Sequence, residues 1–272
     1  IVTLFVAGFC SGAINAVAGG GTFVTFAALS LLGVPSVMAN ATSSIAQFPG
    51  YITSSVAYRD EIVPTLRTAL ALSILSAVGA LVGALILLAL DNAEFSALVP
   101  WLLLGATALF AAGPWLKPKR ADGEHVAVLG PLTGGFVQFV TAIYGGFFGA
   151  GMGVMMLATL GLTQPGDYHR LNALKCLLSV VMAAVAIAVF VSGGLISWPE
   201  AAVMIPAVAL GGYIGVYAAK RVPQSALRAF VIFPGIALAI NYFFECPPPG
   251  EPRPRIGEER VPAGGRARET PG

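Results

Sequence analysis

Ala18-Gly19-Gly20-Gly21-Thr22, followed by Ala39-Asn40-Ala41-Thr42-Ser43, is answered later by Ala150-Gly151-Met152-Gly153 and Leu171-Asn172-Ala173-Leu174-Lys175. One offset of 132 residues carries Gly19 onto Gly151, Gly21 onto Gly153 and Asn40 onto Asn172. The same offset carries Gly79 onto Gly211 and Gly83 onto Gly215. Several glycines and an asparagine in one gapless register mark an internal duplication. Duplicated apolar units with glycine breaks in matching places point to a membrane transporter whose site lies between its halves.

The solvent follows from composition. Hydrophobic residues make up 57% of the 272 and charged residues 10%, with a mean hydropathy of +0.83. An average soluble domain carries roughly 25% charged residues. So few charges cannot cover a water-facing surface of this size, and the chain is expected to face a lipid bilayer. The net charge of +2 is spread around hydrophobic runs and forms no basic stripe, which speaks against a nucleic-acid partner. Cys10, Cys176 and Cys246 are odd in number and lack zinc-site spacing, so neither a disulfide framework nor a metal site is expected, and no cofactor. The chain opens at Ile1 on an apolar run without a charged n-region, which reads as a membrane segment and not as a signal peptide.

Six stretches have the length of a bilayer span: 40–58, 66–90, 97–116, 172–192, 198–219 and 225–244. Helix is expected throughout, because lipid offers backbone groups no other partner. Pro49-Gly50 should kink the first of them. Residues 1–33 and 126–161 differ, because glycines interrupt both. As one helix, 126–161 would be about 54 Å long, against a hydrocarbon core of about 30 Å. Each is then a broken span or a helix–turn–helix hairpin that enters and leaves on one side.

Loop charge favours the hairpin, because cytoplasmic loops collect Lys and Arg. Arg59, Arg67, Lys117, Lys119 and Arg120 place 59–67 and 117–125 inside, while Asp91 and Glu94 place 91–96 outside. With a hairpin at 126–161, Arg170, Lys220 and Arg221 also fall inside. Each half then makes three crossings plus one hairpin, and the odd number inverts the second half relative to the first. The expected architecture is an all-α polytopic membrane protein. Its first repeat is 1–116, a cytoplasmic linker follows at 117–125, and the second repeat is 126–245. The Pro-rich, nearly apolar-free stretch 246–272 reads as a disordered tail.

Glycine at a hairpin tip lets the backbone approach a ligand, and the helix that follows presents free N–H groups and about half a positive charge. Gly19, Gly20, Gly21 and Thr22 in one half, and Gly149, Gly151 and Gly153 in the other, are therefore candidate anion cradles. Asn40, Ser43, Ser44 and Gln47 follow i, i+3, i+4, i+7 and share one helical face, which in lipid looks at a cavity or another helix. Asn40 and Asn172 also suit helix N-caps, and Lys175 either faces a substrate or snorkels to the interface.

Intramembrane catalysis finds little footing. HExxH, GxSxG and GxxxxGK[ST] are absent, and the carboxylates sit at segment ends. A proton relay on buried Asp or Glu is not expected. The chain is not read as an enzyme.

Gly12 through Gly21, Gly33-Val34-Pro35 and Ala39-Asn40-Ala41-Thr42-Ser43 resemble the start of the TauE/SafE family, also called the toluene sulfonate uptake permease family. The second half is similar through Gly145-Gly146, Gly149-Ala150-Gly151-Met152-Gly153 and Leu171-Asn172-Ala173-Leu174-Lys175, and the likeness covers about residues 5–244. It implies a bacterial or archaeal inner-membrane transporter of small anions such as sulfite, sulfoacetate or other sulfonates. Cys10 and Cys176 have no family role that carries over.

The resulting expectation is a secondary transporter working by alternating access, with substrate contacts at Gly19, Gly20, Gly21, Thr22, Asn40, Thr42, Ser43, Gly149, Gly151, Gly153, Asn172 and Lys175. Self-association into a homo-oligomer is compatible with it. A channel-like anion pore and a non-transporting scaffold subunit are the alternatives.

Overall fold

The computed structural model describes residues 1–62, 66–112, 130–166 and 168–218. The expected span at 225–244, the linker 117–125 and the tail 246–272 lie outside the described residues. Within the described residues the regular structure is helical, without strands. The first half holds α1 (Val2–Ala18), α2 (Thr22–Leu31), α3 (Ser36–Ala57), a single turn α4 (Arg59–Ile62), α5 (Leu66–Ala89) and α6 (Asn92–Ala112). The second holds α7 (Pro131–Phe147), α8 (Met152–Thr163), α9 (Tyr168–Ser192) and α10 (Trp198–Ala218).

Polarity is distributed as lipid requires. Asn15, Asn40, Gln47, Gln138, Asn172 and Lys175 are buried, while Ile74 is 68% exposed and Phe136 67% exposed. Water would reverse that pattern. Arg67–Ala89 and His169–Ser192 are long and apolar enough by composition to cross a membrane. In α3 the buried polar face of Asn40, Ser43 and Gln47 dilutes the hydropathy of a helix that is long enough by length alone, at 22 residues.

Several boundaries differ from the sequence reading. The helix expected from residue 40 begins at Ser36, and the one expected from 172 begins at Tyr168. The acidic loop expected at 91–96 is much shorter, because α6 starts at Asn92. There Glu94 N–H donates to Asp91 Oδ1 at 2.7 Å, and Asp91 N–H donates to Glu94 Oε2 at 3.1 Å. The two carboxylates form a capping box that starts the helix, an arrangement in which each satisfies an otherwise orphaned donor. Across Pro49-Gly50, α3 continues as one helix.

The two glycine-broken segments each fold back. After Ala18 the chain turns at Gly19, whose φ of 80° lies in the left-handed region and whose N–H caps α1 on the Asn15 carbonyl at 3.2 Å. Gly21 then lies against α1, so close that a β-carbon there would fall 2.0 Å from the Ser11 carbonyl oxygen. Ten residues of continuous helix would hold those positions about 15 Å apart. The second segment turns through Gly149 and Gly151, with φ of 68° and 76°. Tyr144 Oη donates to the Ala150 carbonyl at 2.8 Å and pins that turn to α7.

Contacts between the halves follow an exchange symmetry. Helix α1 packs along α10, and α7 packs along α5; α3 meets α10, and α9 meets α5. The 132-residue offset maps each of these contacts onto its partner with the halves interchanged. The paired glycines make the first contact possible in both copies. A β-carbon at Gly83 would fall 2.0 Å from Ile143 O, and one at Gly211 would fall 2.0 Å from Phe9 O. Gly79, Gly83, Gly211 and Gly215 are thus packing residues that admit a neighbouring backbone.

Candidate functional site

Helices α2 and α8 both begin where a hairpin turns, and the two turns meet. A β-carbon on Gly19 would fall 2.5 Å from the Gly153 carbonyl carbon, and one on Gly153 would fall 2.7 Å from Gly19 Cα. Thr22 Oγ1 donates across the junction to the Gly149 carbonyl at 3.2 Å. The first ladder bonds of α2 come from Phe23 to Gly20 at 3.3 Å and Val24 to Gly21 at 2.9 Å. Those of α8 run from Met152 to Gly149 at 3.1 Å and from Val154 and Met155 to Gly151, both at 3.0 Å. Amides ahead of these bonds belong to the turns and carry the positive ends of both helix dipoles.

Each half reaches into the other through an asparagine. Asn40 Nδ2 donates to the Phe147 carbonyl at 2.9 Å, and Asn172 Nδ2 donates to the Ala16 carbonyl at 3.0 Å. Both asparagines sit four residues beyond the first residue of their helices, Ser36 and Tyr168, so neither is an N-cap. They instead tie each helix to the end of the opposite hairpin arm. A helix end has carbonyls without intrahelical donors, which is why a side-chain amide finds an acceptor there.

Lys175 is 0% exposed and its Nζ donates to the Asn15 carbonyl at 2.9 Å. That burial excludes the snorkelling position, since a snorkelling head group would reach water. Among the described buried residues there is no Asp or Glu to pair with it. An unpaired ammonium away from water is costly, and an incoming anion would offset that cost.

Thr22, Asn40, Ser43, Asn172 and Lys175 are each buried. Thr42 goes elsewhere: its Oγ1 accepts from Ser197 N–H at 2.9 Å and anchors the segment before α10. Ser43 Oγ has no hydrogen-bond partner among the described residues.

Three residues that were not among the expected substrate contacts adjoin the first turn. Ser11 Oγ donates to the Gly21 carbonyl, and Gln47 Nε2 donates to Ser11 Oγ. Tyr51 is buried with its hydroxyl beside the side chains of Asn15 and Thr22. Ser11 and Asn15 are polar residues at i, i+4 inside the apolar α1, a spacing that places them on one face and was open to inspection in the sequence. Chemically, the arrangement offers one buried lysine, several hydroxyl and amide groups and two helix N-termini, a set suited to a small anion.

Residues 4–242 match the family described as Sulfite exporter TauE/SafE. The chain is similar to a probable membrane transporter protein of Haemophilus influenzae, 26% identical over 250 residues that cover 90% of this chain and 95% of that one. It is similar also to the probable membrane transporter protein ORF9 of Sinorhizobium sp, 27% identical over 245 residues covering 88% and 90%. The probable membrane transporter protein YfcA of Escherichia coli K12 is 23% identical, with 89% of each chain covered.

Proposed function

This chain belongs to the sulfite exporter TauE/SafE family, and from that membership we propose that it moves a small anion, sulfite or an organosulfonate, across the inner membrane by alternating access. The single observation that carries the site is Lys175, fully buried, bonded to the Asn15 carbonyl and without a carboxylate among the described buried residues. On this reading the substrate supplies the missing countercharge. The glycine turns at Gly19–Thr22 and Gly149–Gly153 add helix-dipole stabilisation, and Asn40, Ser43 and Asn172 orient the ligand or hold the turns that do.

The halves 1–116 and 126–245 are read as inverted repeats with several membrane passes each. Two features support this: the hairpins fold back at their glycines, and the contacts repeat with the halves exchanged. Alternating access then consists of one half rocking on the other around the junction of the turns. Binding energy here comes from dipoles and one cation, enough to strip an anion of water and weak enough to release it.

Flux into proteoliposomes under an imposed membrane potential tests the proposal, with sulfite, sulfoacetate, thiosulfate, sulfate and formate as the panel. Saturable movement of sulfur anions with mutual competition is expected. No movement of any of them by well-folded protein would overturn it, and non-saturating flux would favour a pore.

A further inference from the structure

We infer that the site selects oxyanions that also carry a hydrogen-bond donor, and that Gln47 reads the donor; this rests on the transport reading above. Gln47 is 0% exposed, and its Nε2 donates to Ser11 Oγ. The Ser11 hydroxyl hydrogen is already committed to the Gly21 carbonyl, so Ser11 can only accept from Gln47. That fixes the orientation of the amide. Its other atom, Gln47 Oε1, is therefore an acceptor, and it is buried without a partner among the described residues.

A buried acceptor of fixed orientation repels a bare oxyanion and rewards an O–H or N–H group. The neighbouring groups have the opposite preference. Lys175 donates from α9, and the Ser43 hydroxyl, one turn before Gln47 on the same face of α3, is buried and unpartnered. Gln47 joins α1 at the Ser11 side chain, while Lys175 bonds the Asn15 backbone carbonyl, one turn further along the same helix. The two anchors are about 6 Å apart along the helix axis. One end of a ligand in this seam thus meets donors and the other end meets an acceptor. A short sulfonate with a hydroxyl or amino group at its far end satisfies both, whereas the same sulfonate ending in a methyl group leaves Gln47 Oε1 unpaired.

The test uses ethanesulfonate and 2-hydroxyethanesulfonate, which differ by the one hydroxyl. Uptake of each by the full chain in proteoliposomes is read by mass spectrometry of the vesicle lumen. Wild type is expected to favour the hydroxylated sulfonate by about tenfold in kcat/KM, the worth of one buried hydrogen bond. In Gln47→Met, which keeps the side-chain bulk, the ratio should fall to about one whatever the absolute flux. Equal uptake by wild type, or a preference that survives Gln47→Met, overturns the inference. If neither sulfonate crosses, the transport reading fails for this substrate class, and the same pair is compared by thermal shift of the detergent-purified protein. A larger shift with the hydroxylated form that disappears in Gln47→Met upholds the inference, and equal shifts overturn it.

Discussion

Gly19 and Gly153, one from each half, touch backbone to backbone, with no room at either for a single methyl group. The two residues differ in one respect. Gly19 has a φ of 80°, whereas Gly153 lies within α8 in ordinary helical conformation. Substitution therefore separates crowding from backbone strain.

Gly153→Ala should lower thermal stability through overpacking alone, by about 1–3 kcal/mol. Gly19→Ala should cost more, since it adds about 1–2 kcal/mol for the left-handed backbone. Gly33, also at φ 80° but with nothing within 4 Å of a built β-carbon, supplies the strain-only control. Unfolding in detergent should rank the losses Gly19→Ala first, and equal losses at Gly19 and Gly33 would remove the close contact from the account.

Lys175→Met should abolish anion flux while leaving the unliganded protein as stable or more so. A methionine fills much the same volume, and replacing a buried ion by an apolar side chain is often neutral or stabilising by about 1–4 kcal/mol. The stabilisation that substrate confers on wild type should vanish in the variant. Thermal shift with and without sulfite reads both effects, and a variant that still transports would sink the assigned charge.

Asn40→Ala and Asn172→Ala should each lose about 1 kcal/mol, by removing the donor to Phe147 O or Ala16 O. The two bonds lie at opposite hairpin arms and share no partner. Their effects should therefore add within about 0.5 kcal/mol in the double variant. A strongly non-additive double variant would show that the two arms move as one unit.

Thr42→Val and Ser43→Ala separate neighbours that look alike in the sequence. Thr42→Val removes the acceptor of Ser197 N–H and should reduce stability by about 1 kcal/mol while transport persists. Ser43→Ala removes a hydroxyl without a partner among the described residues, so stability should hold and the KM for the anion should rise. The reverse pattern would exchange their roles.

Much of this fold was legible from residue order. Composition fixed lipid as the solvent, and the recurrence of Gly19, Gly21 and Asn40 as Gly151, Gly153 and Asn172 marked the duplication and the turns. Periodicity placed Asn40, Ser43 and Gln47 on one face of a helix, where the structure has them buried. Those properties are local, or depend on totals, and a one-dimensional string carries them in full.

What faces what is a different matter. An isolated asparagine near a helix start reads equally as a cap or a cross-link, and only the approach of Phe147 and Ala16 decided for the link. Lys175 had the membrane interface and a buried carbonyl as competing destinations, and the packing of α9 on α3 delivered it to Asn15. Thr42, one residue from Ser43, points to Ser197 because adjacent helical residues project about 100° apart. Residue order alone therefore carries the solvent, the repeat and the places where the chain turns. Folding in three dimensions set which turns touch and which polar groups of the two halves meet, because Thr22–Gly149, Asn40–Phe147, Asn172–Ala16 and Lys175–Asn15 each join residues more than a hundred positions apart, and local pattern does not encode their register.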